Sequence, residues 1–458
     1  MPTDRVLTAE GISLTQFDQL RSGSSSSIIS SSDDSPSGLS LISSSTVIGT
    51  PSFSTAPTSR SPSPPPQSTA LSQQHPYSSR SGSLIAGRMS SRSAAAGVAA
   101  IKPKKPALVQ FFRAASVAVY FTTCVLTINF TQLLGLPLRI FSKDWFHAYR
   151  DYTKQSFGLV INTTTQWWSP TPVVIVGDST VAGLLKKNDD GTLETSFGDR
   201  VVLLANHQIY SDWLYLWWVA YTNRMHGGFY IFLKESLKNI PFIGWGMMYF
   251  KFIFLSRKWQ TDQARMESAL QEINAEKDWP AWLLIFPEGT NFTQNGIDKS
   301  HAYAEKFNMV EPKNMLLPRA RGLYFILKNF DVPYIYDCTT GFEGVPPAGF
   351  AQDYFTLSSI YAAGLPPKSI HMHWRRFARS DIPLDDESEF ERWLQKRWLE
   401  KDQLLENYYL NGHFDGETVI NTEIRLRKNS EILQVCAIPA VFALCANLAY
   451  RAWHLWIQ

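Results

Sequence analysis

The sequence predicts an α/β fold: a mostly parallel central sheet flanked by helices, with N-terminal membrane helices, a C-terminal transmembrane helix and a disordered N-terminal tail. Three observations predict it. Between residues 170 and 412, short apolar runs alternate with amphipathic stretches, the pattern of strands joined by helical crossovers. Two further runs, Ala114 to Leu138 and Ile432 to Tyr450, carry no charge for about 25 and about 19 residues, the length that crosses a hydrocarbon core. Residues 1 to about 105 are dominated by Ser, Pro, Thr and Gly, a composition that buries too little apolar surface to offset the entropy of ordering.

The tail comes first, over 1–105. Stretches such as SGSSSSIISSSDDSPSG and SRSPSPPPQSTALSQQ read as a solvated, phosphorylatable segment. No apolar core of a secretory signal follows Met1. The Arg/Ser content of 79–105 resembles a transit peptide, but Asp4, Glu10 and Asp18 argue against one. The N-terminal membrane helical segment, 106–170, joins the uncharged run to a mixed stretch, Trp145 to Pro170, ending in Trp167 and Trp168. The two are expected to form a helical hairpin that dips into one leaflet. Charges around the first run are nearly balanced, so they do not fix its orientation.

The α/β domain, 171–415, is read strand by strand. The predicted strands are PVVIVG (172–177), VVLLA (201–205), FYIFL (229–233), FIFL (252–255), WLLIF (282–286), VPYIYDC (332–338) and SIHMHW (369–374). Helices are predicted over Tyr210–Arg224, Thr261–Ala275, Ala302–Phe307, Ala320–Asn329 and Glu387–Glu406. The last segment, 416–458, is a linker and a transmembrane helix containing Pro439, a kink that membrane helices tolerate. Arg425, Arg427 and Lys428 precede that helix, which favours a cytosolic position for the preceding domain.

Composition excludes several classes. The 458 residues suffice for a core without covalent staples. The four cysteines are scattered, against a disulfide framework or a Cys-rich zinc site. Forty-three basic and 40 acidic residues leave a net charge of +3, with no global attraction to nucleic acid. Charged residues are 18% and aromatics 13%, with 15 Trp, a balance that suits a lipid interface.

Three motifs carry candidate chemistry. In NHQIYSDW (206–213), His207 and Asp212 are five apart. A regular helix would turn them about 500° from one another. They meet only if His207 lies in the turn after a strand and Asp212 in the first helical turn. His207 then stands at the carboxyl end of a strand, where α/β folds bind ligands. A carboxylate on one ring nitrogen would fix the tautomer and leave the other as a base. The same spacing also suits a packed histidine with Asp212 as a helix cap. In WLLIFPEGTNF (282–292), Gly289 permits a tight turn, and Glu288 is placed to orient a basic group or a substrate hydroxyl; an ordinary strand-end turn is the alternative. In KESLKNIPFIGWGMMYFKFIFLSR (234–257), Lys234, Lys238, Lys251 and Arg257 are interleaved with aromatic and aliphatic groups. Such a surface lies against a membrane with its cations on phosphates, or is merely solvated. His371 and His373 share one face of a strand, but no third ligand accompanies them, so no metal is expected.

The order NHQxxxDW, then Ile-Pro…Gly-Trp…Phe-Leu-Ser-Arg, then FPEGT, then LLPRARGL resembles the glycerolipid acyltransferase family, which includes the 1-acyl-glycerol-3-phosphate acyltransferases. KSHAYAEK (299–306), IHMHWRR and the helix ERWLQKRWLEKDQLLENYY are similar to the eukaryotic branch with lysocardiolipin and lysophosphatidylinositol acyltransferases. The resemblance covers roughly 110 to 455. It implies His207 as general base in an HX4D motif and Asp212 as its orienting partner. It implies Arg257, Glu288, Gly289 and Thr290 as substrate-binding, holding the phosphate and glycerol of a lysolipid, and Pro318 in acyl-CoA binding or packing. No cofactor is implied beyond acyl-CoA as co-substrate. The partners expected are lysophospholipid, acyl-CoA and a membrane, without nucleic acid. The expected home is the endoplasmic reticulum membrane, with a mitochondrial membrane as the second choice. The implied reaction moves an acyl group to a free glycerol hydroxyl without an acyl-enzyme, and the chain holds no GxSxG. The alternatives are a 1-acyl-glycerol-3-phosphate acyltransferase making phosphatidic acid, a catalytically silent lipid-binding scaffold, and a lipid hydrolase.

Overall fold

The computed structural model describes residues 106–346 and 349–458; the tail read as disordered, 1–105, lies outside the described residues. Helices α1 (Ala107–Gly135) and α2 (Lys143–Trp168) form an antiparallel hairpin. It is tied along its length by Tyr120 Oη to Thr163 Oγ1 (2.5 Å), Tyr149 Oη–H to the Thr131 carbonyl (2.7 Å) and Trp168 Nε1–H to Ser116 Oγ (2.9 Å). The two arms differ in what covers them. In α1 the membrane-length window is only 11% buried, and Leu126, Phe130 and Leu133 face outward. In α2, Thr153, Lys154, Val160 and Thr163 are fully enclosed, so the second arm is a core helix of the domain rather than a leaflet-dipping one. Its mixed sequence fits that place: the apolar positions fill the core, and His147, Arg150 and Asp151 form ion pairs inside it.

The sheet is built from β1 (Pro172–Gly177), β4 (Arg200–Ala205), β5 (Phe229–Lys234), β6 (Ile253–Leu255), β7 (Ala281–Ile285), β8 (Tyr334–Phe342), β9 (Ile370–Ala378) and β10 (Thr418–Glu423), with β2 (Leu185–Lys187) and β3 (Leu193–Thr195) as a separate hairpin. Its eight strands run in the order β10-β1-β9-β8-β4-β7-β5-β6. Neighbours are parallel except at β1–β10 and β8–β9. Central β4 is covered on both faces. Val201, Leu203 and Ala205 join the cluster under α2 and α3 (Asp212–Thr222), while Val202 and Leu204 join the one under the helices of the opposite face. Two-sided burial is why VVLLA reads as an unbroken apolar run.

The remaining α-helices longer than four residues are α4 (Ile243–Tyr249), α5 (Trp259–Ala275), α6 (Gln294–Phe307), α7 (Ala320–Asn329), α8 (Glu387–Asn411) and α9 (Gln434–Ile457). Helix α6 starts eight residues before the predicted Ala302, because Thr293 caps it by accepting from the Gly296 N–H. Helix α8 runs on to Asn411, where Gly412 at φ +80° ends it. Helix α9 packs against α1 through Phe130 and Phe442 and against α2 at its first turn, where Gln434 bonds Tyr152 and Ser156 and Val435 is buried; only 6% of its membrane-length window is buried. Helices α1 and α9 are thus long, apolar and outward-facing, and they associate the protein with a membrane.

Candidate active site

Strand β4 ends at Ala205, and the next residue finishes its pairing with a side chain. The Asn206 amide donates to the Thr340 carbonyl on β8 (3.1 Å) and accepts the Thr340 N–H (2.8 Å). The backbone is thereby released from the ladder, and His207 lies in the turn beyond it. Asp212 opens α3. Its Oδ2 accepts from His207 Nδ1 (2.9 Å), from the Gln208 N–H (2.7 Å) and from the Ile209 N–H (3.0 Å). Asp212 thus touches the imidazole and also holds the turn before the helix; it is not the helix cap, since Ser211 occupies the N-cap position and makes no side-chain cap bond. Its side chain is 1% exposed, that of His207 17%. Burial pushes the Asp212 carboxyl upward, against the pull of the His207 ring and the two amides. With Nδ1 committed to Asp212, Nε2 makes no hydrogen bond among the described residues. The ring lies flat on Phe286, centroids 4.3 Å apart.

The other motifs converge on this turn. Glu288, at the end of β7, points inward: Oε1 accepts the His207 N–H (3.0 Å) and Oε2 accepts the Leu316 N–H (3.3 Å). Burial pushes its pKa up to about 8, with those two amides opposing the rise. Gly289 has φ +74° and open space where a Cβ would stand, so it is the backbone angle rather than crowding that favours glycine. Arg257 follows β6 at φ +67° and donates from Nη2 to the Gly289 carbonyl (3.1 Å). Its loop is held by Asp262 Oδ1, which accepts from the Ser256 N–H (2.7 Å) and Oγ–H (2.8 Å). Thr290 is partly buried beside this turn, and Pro318 is buried. Pro318 lies between Leu316, bound to Glu288, and Arg319, whose N–H donates to the Pro287 carbonyl (2.8 Å). Hydrogen bonds thus join His207, Asp212 and Glu288 directly, Arg257 to Gly289, and the segment around Pro318 to Glu288.

Three contributors escaped the sequence reading. Gln208 Nε2–H donates to the Asn314 carbonyl (2.9 Å), and Gln352 Oε1 accepts the Tyr210 N–H (2.6 Å). Asp402, in the middle of α8, accepts the backbone N–H groups of Lys313 (2.9 Å) and Asn314 (2.7 Å). A helix far along the chain therefore sets the turn on which Gln208 leans. Asp402→Ala is expected to lower turnover about tenfold through that displaced turn. It also strands two backbone donors, at about 1–3 kcal/mol each. Turnover at saturating substrate, with the melting temperature alongside, measures both effects.

A buried ionic set joins β8, β9 and α8 behind the site. Lys401 Nζ donates to Asp337 Oδ1 (2.5 Å) and the Cys338 carbonyl (2.7 Å), and Arg375 Nε to Asp337 Oδ2 (2.8 Å). Burial alone would raise the Asp337 carboxyl; the two cations overcome it and hold it low. His371 and His373 do share a face, packed against Tyr408 and Phe414, and burial lowers both.

Comparison with known proteins adds an independent observation. A family model described as acyltransferase matches residues 186–338, and a second, described as acyltransferase C-terminus, matches 363–436. An uncharacterized acyltransferase of Schizosaccharomyces pombe is 39% identical over 314 residues, which cover 68% of this chain and 89% of that one. The 2-acyl-1-lysophosphatidylinositol acyltransferase of Saccharomyces cerevisiae is 36% identical over 277 residues, 52% of this chain and 70% of that one. Lysocardiolipin acyltransferase 1 of Gallus gallus is 30% identical over 334 residues, 70% of this chain and 81% of that one.

Proposed function

Since the chain belongs to the glycerolipid acyltransferase family and is an acyltransferase, we propose that it acylates a lysophospholipid with acyl-CoA, using His207 as general base, at the membrane of the endoplasmic reticulum. The observation that carries this reading is the 2.9 Å contact between His207 Nδ1 and buried Asp212, at the carboxyl end of β4. In the reaction, His207 Nε2 takes the proton of the free glycerol hydroxyl as that oxygen attacks the thioester carbonyl. The ester C–O bond forms, the C–S bond breaks, and the proton passes from the imidazolium to the departing CoA thiolate. Asp212 keeps the ring in the needed tautomer and stabilises its charged form. Base assistance of this type contributes about 10²–10⁴-fold.

Arg257, Gly289 and Thr290 are assigned to the phosphate and glycerol of the acceptor. Arg257 is exposed and anchored on the Gly289 carbonyl, so its guanidinium stands beside the same turn that supports His207. The names of the yeast and chicken relatives favour an acceptor whose phosphate carries a further headgroup, as in lysophosphatidylinositol or lysocardiolipin. An acceptor panel run with one labelled acyl-CoA tests the assignment. Transfer to lysophosphatidylinositol or lysocardiolipin at least about tenfold faster than to lysophosphatidic acid is expected, a difference of about 1.4 kcal/mol. The reverse order makes this a phosphatidate-forming enzyme. CoA release without any lysolipid makes it a hydrolase, and no transfer at all makes it a scaffold.

A further inference from the structure

One cavity of the described structure lies away from the dyad. It holds about 570 Å³ and lies at the β6 edge of the sheet, between α5 and α4, with none of the residues assigned above in its wall. Its origin is topological. Strand β6 is three residues long and, among the described residues, pairs only with Phe232–Lys234 of β5. Among the described residues no strand covers the same edge at Phe229–Ile231, and the cavity opens there, against Tyr230.

Its wall has three chemistries. Phe252, Ile253, Phe254 and Ala269 give an apolar floor, Lys238, Lys251, Arg265 and Arg150 supply cations, and Glu272 and Glu276 supply carboxylates. Lys238 and Arg265 share one carboxylate, Glu235, at 3.2 and 2.9 Å. Arg265 also stands 3.9 Å from Asp262, whose oxygen is engaged by Ser256. Lys251 pairs with Glu272 at 3.0 Å. These are half-exposed pairs, and such pairs are weak enough for a phosphate oxygen to take a carboxylate's place. At the inner end Arg150 is 3% exposed; Nη2 meets Glu276 and His147, while Nε makes no hydrogen bond among the described residues.

The surroundings say where the ligand comes from. Met248 of α4 lines the cavity. The same short helix region turns Trp245 (62% exposed) and Phe242 (46% exposed) outward. The Phe242 carbonyl accepts from Asn129 Nδ2–H of α1 (2.9 Å), so this apolar patch continues the lipid-facing side of α1. An apolar floor ringed by cations in weak, exchangeable carboxylate pairs, beside a surface that meets lipid, has the layout of a phospholipid seat.

We propose that this cavity binds an anionic phospholipid of the bilayer, with its phosphate among Lys238, Lys251 and Arg265 and the start of its chains on the Phe252–Phe254 floor. The site is separate from the acyl-transfer site and stands whichever acceptor the enzyme uses.

The test uses the purified full-length chain in neutral detergent, with thermal unfolding followed as mixed micelles of phosphatidylinositol are titrated in. A saturable rise in melting temperature is expected, as for any ligand of the folded state alone. Phosphatidylcholine, CoA and inorganic phosphate serve as the other arms. Lys238→Glu with Arg265→Glu should weaken the phosphatidylinositol response at least about tenfold, and Ala269→Phe, which fills the floor without changing charge, should weaken it comparably. Neither variant should lose acyl transfer at saturating acceptor in neutral micelles whose only anionic lipid is that acceptor. The proposal is overturned if both variants keep the wild-type response, if no lipid shifts the wild type, or if phosphatidylcholine matches phosphatidylinositol. A shift by CoA or inorganic phosphate that is lost in the same variants overturns it too, and makes the cavity a soluble-phosphate site.

Discussion

His207→Ala is expected to lower kcat/KM for acyl transfer by about 10²–10⁴-fold while the protein stays folded. The separation of the two effects follows from the turn's own bonding. Asp212 Oδ2 accepts from the Gln208 and Ile209 N–H groups as well as from the ring, and the His207 backbone is held by Glu288. Removing the imidazole therefore leaves the backbone of the turn pinned at three points. What is lost is the group that takes the hydroxyl proton, an alcohol being far too weak an acid to ionise unaided near neutral pH. Single-turnover transfer with labelled acyl-CoA, alongside the melting temperature, measures the outcome. Activity within tenfold of wild type in a normally folded variant would remove His207 from the proton transfer.

The dyad was legible in the sequence because it is local. Two residues five apart can touch only across one kind of strand-to-helix turn, and VVLLA announced the strand. The central strands were legible for a related reason: β4, β7 and the start of β5 are buried on both faces, so their apolar runs are unbroken. Strand β10 was missed because its burial alternates at a half-exposed sheet edge, and β2 and β3 because LKK and LET are short and largely polar. Neither the enclosed place of α2 nor the clamp by Asp402 has a local sign. A mixed 26-residue helix reads alike on a membrane surface and inside a domain, and Asp402 meets its backbone donors 88 and 89 residues away along the chain.

Glu288→Gln is expected to lower turnover by about 10²-fold, the loss that follows displacing a reacting group by roughly 1 Å. Both Glu288 oxygens serve backbone donors, the N–H of His207 and that of Leu316. Each oxygen keeps a lone pair in either protonation state, whereas the amide nitrogen of glutamine has none to offer and sets N–H against N–H. One of two buried donors is then left unsatisfied, at about 1–3 kcal/mol, and the turn carrying His207 moves. The kinetic signature separates this role from the one implied by family resemblance, in which the residue at this position holds acceptor. A positioning role lowers kcat and changes the acceptor KM little; a tenfold rise in KM with kcat intact would place Glu288 on the substrate instead. Titration gives a second signature. With the folded pKa raised to about 8, the native protein keeps a proton that the unfolded chain releases near pH 4.5. This residue therefore makes stability fall as pH rises between those values. Glutamine carries no such proton, so the variant's stability should decline less over that window than the wild type's. Denaturant unfolding at pH 5, 6.5 and 8 reads the difference, and parallel slopes for the two proteins would mean that Glu288 ionises in the fold as it does in the open chain.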